Sequence, residues 1–228
     1  MLVLFSGGRG SGKSTIAKSL YEILDKTNYD YTQQSKWRTK TKNTYQKLFW
    51  ILYFLTFFKF QVCNVFFKRL YRDINSGRAK GSLGRIYMPC VLSYHINKLF
   101  KKKVQCVIYE SDFLTWAADK VLDDTFDSSE IKNYYSSVII PRVSKILVVV
   151  CYTPVNVAFE RWCIREGKQL SQYEKKKWIE KRTSWMNARN EVIKTVSGIS
   201  NVTVMTLDGL DTPLQNSSMI AKILDRYN

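Results

Sequence analysis

The sequence predicts an α/β protein whose parallel sheet is covered by helices on both faces, and three observations carry that expectation. Short apolar runs recur along the chain, amphipathic stretches separate them, and the first run stops at a glycine cluster that leads directly into a helix. Runs of Val, Ile and Leu without polar alternation are what strands buried on both faces require. With 228 residues, 45% of them hydrophobic, the chain can bury one sizeable core and reads as a single domain over residues 1–228.

Residues 1 to 6 form the first apolar run. From Ser14 the positions Ile16, Leu20, Ile23 and Leu24 fall three to four apart, the spacing of one helix face. Tyr29 to Gln33 reads as a second strand on its tyrosines and Thr32. Leu48 to Phe58 carries no charge and an aromatic-rich run continues to Phe67, but Lys59, Gln61 and Asn64 interrupt it. A membrane span needs about 20 predominantly apolar residues. The stretch therefore reads as a long core helix, with an interfacial helix flanked by Lys47, Lys68, Arg69 and Arg72 as the alternative.

Asn75 to Gly84 is a Gly/Ser/Lys/Arg loop, and a helix is expected from about Tyr87 to Phe100. Val104 to Tyr109 and Lys145 to Cys151 are further buried strands, ending in the turns Glu110-Ser111-Asp112 and Thr153-Pro154. Helices are expected over Pro154 to Arg165 and Tyr173 to Val196, a last strand over Asn201 to Leu207, and a terminal helix over Ser217 to Tyr227.

The net charge of +17 is uneven: residues 1–32, 33–105 and 106–228 carry +1, +15 and +1. The middle segment must face polyanions, an anionic membrane surface or water. Cys63, Cys90, Cys106, Cys151 and Cys163 are scattered in apolar stretches with no two closer than twelve residues, which excludes a CxxC zinc site and disfavours a disulfide scaffold. Met1 to Ser6 has neither a basic n-region nor a cleavage pattern, so the chain reads as cytoplasmic, with peripheral membrane association left open.

The chemistry concentrates in Gly7-Gly8-Arg9-Gly10-Ser11-Gly12-Lys13-Ser14, which fits G-x-x-x-x-G-K-[ST] and lies between a strand and a helix. Glycines let successive N–H groups point inward, and the helix that follows adds the positive end of its dipole. In such a phosphate loop, or P-loop, Lys13 reaches the β- and γ-phosphates of a nucleotide and the Ser14 hydroxyl ligates Mg²⁺.

Leu4 to Thr15 resembles the opening of thymidylate kinases and their thymidylate-kinase-like relatives, within the nucleoside monophosphate kinase group. The likeness continues in order through the acid Glu110, the strand at Val148-Val149-Val150 with its proline-started helix, Arg161 and Arg165 spaced R-x-x-x-R, and a closing strand-loop-helix. The resemblance implies a P-loop NTPase fold of three α/β/α layers with a five-stranded parallel sheet. It also implies an ATP site on residues Gly7 to Thr15 and a mobile helical lid around residues 164 to 172. This chain departs from the family on the acceptor side: Arg9 and Glu110-Ser111 stand where thymidylate kinases usually carry Asp and Asp-Arg. Only Lys36-Trp37-Arg38 represents the family's acceptor loop, within an aromatic and basic insertion over residues 36 to 85.

Glu110 follows the carboxyl end of a buried strand, where ligands bind in open parallel sheets, and a carboxylate there can hold Mg²⁺ or orient an acceptor hydroxyl. Asp112 reads equally as a helix cap. Arg161 and Arg165 share a helix face, and arginines carried by a closing lid supply positive charge to a transferring phosphoryl group. Their alternative is a solvated face paired with Glu160 and Glu166. Arg38 and Arg85 are candidates to hold the acceptor's anionic group, Arg85 because its distance before Glu110 is similar to that of the family's acceptor-phosphate arginine. Asp119, Asp123, Asp124 and Asp127 read as a solvated helix face rather than a metal cluster, and the only histidine, His95, as a helix residue.

The expectation is thus an ATP- and Mg²⁺-dependent kinase moving the γ-phosphoryl group to a phosphate-bearing acceptor, by resemblance a nucleoside monophosphate. Two other readings stay open: a kinase of a larger acceptor, such as a nucleic-acid end or a membrane-held lipid or glycan phosphate, and a P-loop ATPase switch that binds a partner through its basic segment. A homodimer is compatible with each.

Overall fold

Period-two burial dictates the sheet, because in a strand covered on both faces odd and even positions serve two different cores. The computed structural model describes residues 1–24, 29–32, 106–109, 113–122 and 128–227. The strands are β1 (Leu2–Ser6), β2 (Tyr29–Thr32), β3 (Cys106–Tyr109), β4 (Ile146–Tyr152) and β5 (Val202–Asp208). They form one parallel five-stranded sheet in the order β2-β3-β1-β4-β5. Leu2, Leu4, Val107, Tyr109, Ile146, Val148 and Val150 enter one core, while Val3, Phe5, Cys106, Ile108, Leu147, Val149 and Cys151 enter the other.

The described helices are α1 (Lys13–Ile23), α2 (Phe113–Leu122), α3 (Ser128–Tyr134), α4 (Val155–Glu166), α5 (Gln172–Ser197) and α6 (Pro213–Asp225). Ile16, Ala17 and Leu20 of α1 pack with Ile220 and Leu224 of α6 on one face of the sheet. Leu114 and Ala117 of α2, Ile131 of α3 and Val192 and Val196 of α5 cover the other. The result is the three-layer α/β/α arrangement, with β1 in the middle and the connections from β1 and β4 leaving toward opposite edges. That reversal opens a crevice beyond the carboxyl ends of β1 and β4, where open α/β sheets place their ligands.

Two elements differ from the sequence expectation. The terminal helix begins at Pro213 rather than Ser217, because Thr212 and Gln215 form a reciprocal capping box with Pro213 at the first helical position. Ile23, counted with the apolar stripe of α1, is 43% exposed in the last turn. Residues 128–142, unassigned from sequence, form α3, a π-helical turn over Tyr135–Ile139 and a 3₁₀ turn over Ile140–Arg142. The expected helices over 48–67 and 87–100, the loop over 75–84 and the whole +15 segment over residues 33–105 lie outside the described residues, as do Arg38, Arg85, His95, Glu110, Asp112, Asp123, Asp124 and Asp127. Among the described residues, no helix is long and apolar enough to cross a membrane.

Candidate phosphate-binding site

The loop between β1 and α1 turns on Gly10 and Gly12, whose φ angles of 79° and 78° lie in the left-handed region that side chains avoid. Gly12 is the residue before the helix, and its carbonyl accepts from the Ile16 amide at 3.0 Å, so α1 starts inside the motif. Within the loop the Ser11 amide donates to the Gly8 carbonyl at 3.2 Å. No acid lies in the first turn of α1 and no side chain caps it, so its positive pole is uncompensated by the helix itself.

Neighbouring elements hold this curl in place. A Cβ on Gly10 would run into the carbonyl of Ala158 in α4, so the loop lies directly against that helix's backbone. The Thr153 hydroxyl, just past β4, makes a long hydrogen bond of 3.4 Å to the Ser11 carbonyl. The Ser6 and Ser11 hydroxyls are buried and have no hydrogen-bond partner among the described residues. Buried hydroxyls in that state suit a polar ligand better than an apolar one. Lys13 is half-buried at the loop's exit, whereas Arg9, Ser14 and Thr15 are exposed.

The two arginines of α4 have different surroundings. Arg161 Nη1 donates to the Gly209 carbonyl at 2.8 Å and lies 4.0 Å from where a Gly12 Cβ would stand. It ties α4 to the loop after β5, close to the phosphate loop. Gly209 is itself pressed against Tyr152 and Thr153, and a Cβ there would meet the Thr153 hydroxyl. Asn216, fully buried in α6, donates through Nδ2 to the Asp208 carbonyl at 2.7 Å and steadies the same loop. Arg165, by contrast, pairs with Glu166 at 2.9 Å on the surface.

Beyond Glu166 the chain turns at Gly167, with φ 61°, and re-enters α5 through the Ser171–Glu174 capping box. Three rings join α4 to α5 there: Trp162 stacks on Trp178 at 5.6 Å and Phe159 meets Trp178 edge-on at 5.2 Å. Lys168 lies over Trp162 and Lys175 over Phe159. This aromatic joint sets the base of the 164–172 turn.

Sequence reasoning did not single out Arg182, yet its guanidinium fills the space that a Cβ on Gly8 would take. It stacks over Trp185 of the same helix, 4.4 Å from the ring centroid. The spacing of three residues was readable as one helix face, but nothing local pairs α5 with the phosphate loop.

No family model and no curated protein matches this sequence. Solved structures do match in shape. A deoxyadenosine kinase from M. mycoides with products dCMP and a flexible dCDP bound superposes with a TM-score of 0.51 over 99% of this chain and 100% of its own, at 16% identity. The same enzyme with bound dATP gives 0.50 over the same shares, at 14% identity. The five-stranded parallel sheet and these superpositions give the chain a three-layer α/β/α P-loop fold.

Proposed function

We propose that the protein is an ATP-dependent phosphotransferase that moves the γ-phosphoryl group to a nucleoside or nucleoside monophosphate. The observation that carries this reading is the seat of Arg161, bonded to the Gly209 carbonyl and near Gly12, at the end of α1 whose first turn carries no acid. A nucleotide seated there lays its phosphates along the loop amides, with Lys13 as a point charge on the terminal phosphates. Its base would lie toward Gly209 and Leu210, where a 55% exposed leucine offers an apolar surface. Arg161 then joins the phosphate and base ends of one ligand. The solved neighbours hold deoxynucleotides, which supports a nucleoside-type acceptor and makes a nucleoside as suitable as the monophosphate expected from thymidylate kinases.

Mg²⁺ suits the hydroxyl of Ser14 in the exposed first turn of α1, with Glu110 as its second holder in this proposal; bound there, the ion neutralises charge on the phosphates. Arg161 is the lid-side cation for the transferring group, and Arg165 joins it when it leaves Glu166. Arg38 and Arg85 retain the role of acceptor-phosphate ligands in this reading, and Arg9 stands at the loop's exposed tip facing solvent. The direct test is ADP formation with Mg²⁺–ATP, alone and then with each nucleoside and nucleoside monophosphate. Stimulation by one or two of these compounds is expected, and slow acceptor-independent hydrolysis alone would overturn the assignment.

The charge of residues 33–105 supports a second reading, a larger anionic acceptor such as a nucleic-acid end or a lipid headgroup at a membrane. Activity on a 5′-hydroxyl oligonucleotide or on anionic vesicles that falls steeply with salt would favour it over the first.

A further inference from the structure

Gly8 has a reason to be glycine that differs from those of its neighbours. Gly10 and Gly12 need positive φ, whereas Gly8 is absent from the left-handed region. What its missing Cβ leaves room for is the guanidinium of Arg182, which would collide with any side chain at that position. Arg182 is half-buried on α5, three residues before Trp185, so both lie on one face of the helix. Trp185 is buried and also has Arg189 over its ring at 5.5 Å, so the indole that carries Arg182 is fixed in the core. Stacking engages the flat face of a guanidinium, while its in-plane fork of N–H donors matches the geometry of planar or tetrahedral anions.

We infer that Arg182 is a phosphate-contacting residue of the donor site, supplied by α5 from outside the 164–172 turn and held against the loop by Trp185 and the absence of a side chain at Gly8. The inference rests on the phosphotransferase reading and adds a fourth cation to Lys13, Arg161 and Arg165. Lys13 stands at the loop's exit and Arg161 is engaged by Gly209, so Arg182 is the cation at the entry shoulder of the loop, beside Gly8. Its position is fixed by a stacked ring rather than by lid closure, so it acts before the lid does: it selects a polyphosphate at binding, whereas Arg161 and Arg165 respond to the assembled complex.

The test is displacement of a fluorescent ATP analogue by ATP, ADP and AMP, which reads the donor site alone, in wild type, Lys13→Ala and Arg182→Gln. Loss of a charge-assisted contact to the terminal phosphates is expected to weaken ATP about tenfold or more in Arg182→Gln while AMP stays within about twofold. Equal weakening of ATP and AMP would assign Arg182 a structural role, and no weakening of either would remove it from the site; both outcomes overturn the inference. If Arg182→Gln does not fold, Arg182→Lys, which keeps the charge but loses the fork, is expected to give the same ATP-selective pattern with a smaller loss. Equal or absent losses there overturn it as well. ATP weakened by Lys13→Ala but untouched by Arg182→Gln ends this inference and leaves the kinase reading standing, whereas failure of wild type to bind the ATP analogue at all ends both.

Discussion

Arg161 and Gly209 are joined by a 2.8 Å hydrogen bond that ties α4 to the loop after β5, and the same guanidinium lies 4.0 Å from where a Gly12 Cβ would stand. Arg165, one turn later on the same helix, is instead paired with Glu166 in solvent. A shared helix face therefore does not give the two arginines the same partners. Arg161→Gln is expected to lower kcat/KM for ATP by about ten- to a hundredfold, because it removes a cation beside the phosphate loop and frees the loop after β5 together. Its thermal stability should fall only by the net worth of one partly exposed hydrogen bond, about 1 kcal/mol. Steady-state kinetics beside a melting curve separates the two, and Arg165→Gln should move kcat while leaving ATP binding near wild type.

Lys13→Ala tests the loop itself. Replacing the one ammonium at the loop's exit with a methyl group should remove at least about 2.7 kcal/mol of transition-state stabilisation, roughly a hundredfold in rate. The residue is half-buried at the start of α1, where alanine is a good helix former, so the fold should be retained. Undiminished ATP-dependent activity in that variant would exclude the phosphate loop as the donor site.

The sheet was legible where burial on both faces makes an unbroken apolar run, as in Leu2 to Phe5 and Ile146 to Cys151, because no other element needs that pattern at that length. The start of α6 was equally written in Thr212-Pro213-Leu214-Gln215, but its apolar periodicity is strongest later, and reading the periodicity instead of the cap misplaced the boundary. Gly7 to Ser14 announced a glycine turn between a strand and a helix because its spacing is local. The seat of Arg182 was not legible: a glycine in the first loop and an arginine in the second-last helix meet only through the tertiary fold, and each alone resembles an ordinary loop glycine and a solvated cation.

Gly10→Ala should fail for two reasons that act together. Its φ of 79° disfavours a side chain, and the added Cβ would meet the Ala158 carbonyl, which belongs to the backbone of α4 and cannot swing away. A loss of about 1–3 kcal/mol in stability is expected from the strained position, read from denaturant midpoints. Nucleotide affinity should fall with it, because the loop can relieve the clash only by leaving α4. Gly198→Ala, where the nearest non-neighbouring atom is 3.7 Å away and φ is −81°, is the control and should be nearly neutral.

The alkaline limit of stability should depend on Cys106, which begins β3 opposite Tyr29 and is buried. Burial pushes its thiol from an ordinary value of 9.0 up to about 12, since a thiolate would lose its hydration in the core. The folded value is the higher one, so the contribution is fully present below about 9 and is lost progressively as pH rises toward 12. At about 1.4 kcal/mol per unit of difference, several kcal/mol disappear across that window. Cys106→Ala removes the titrating group. It should therefore be somewhat less stable than wild type at pH 8, from the lost sulfur packing, yet decline less steeply above pH 9 in urea titrations. Parallel declines for the two proteins would show that the thiol ionises without unfolding the strand, and would place the alkaline limit elsewhere in the chain.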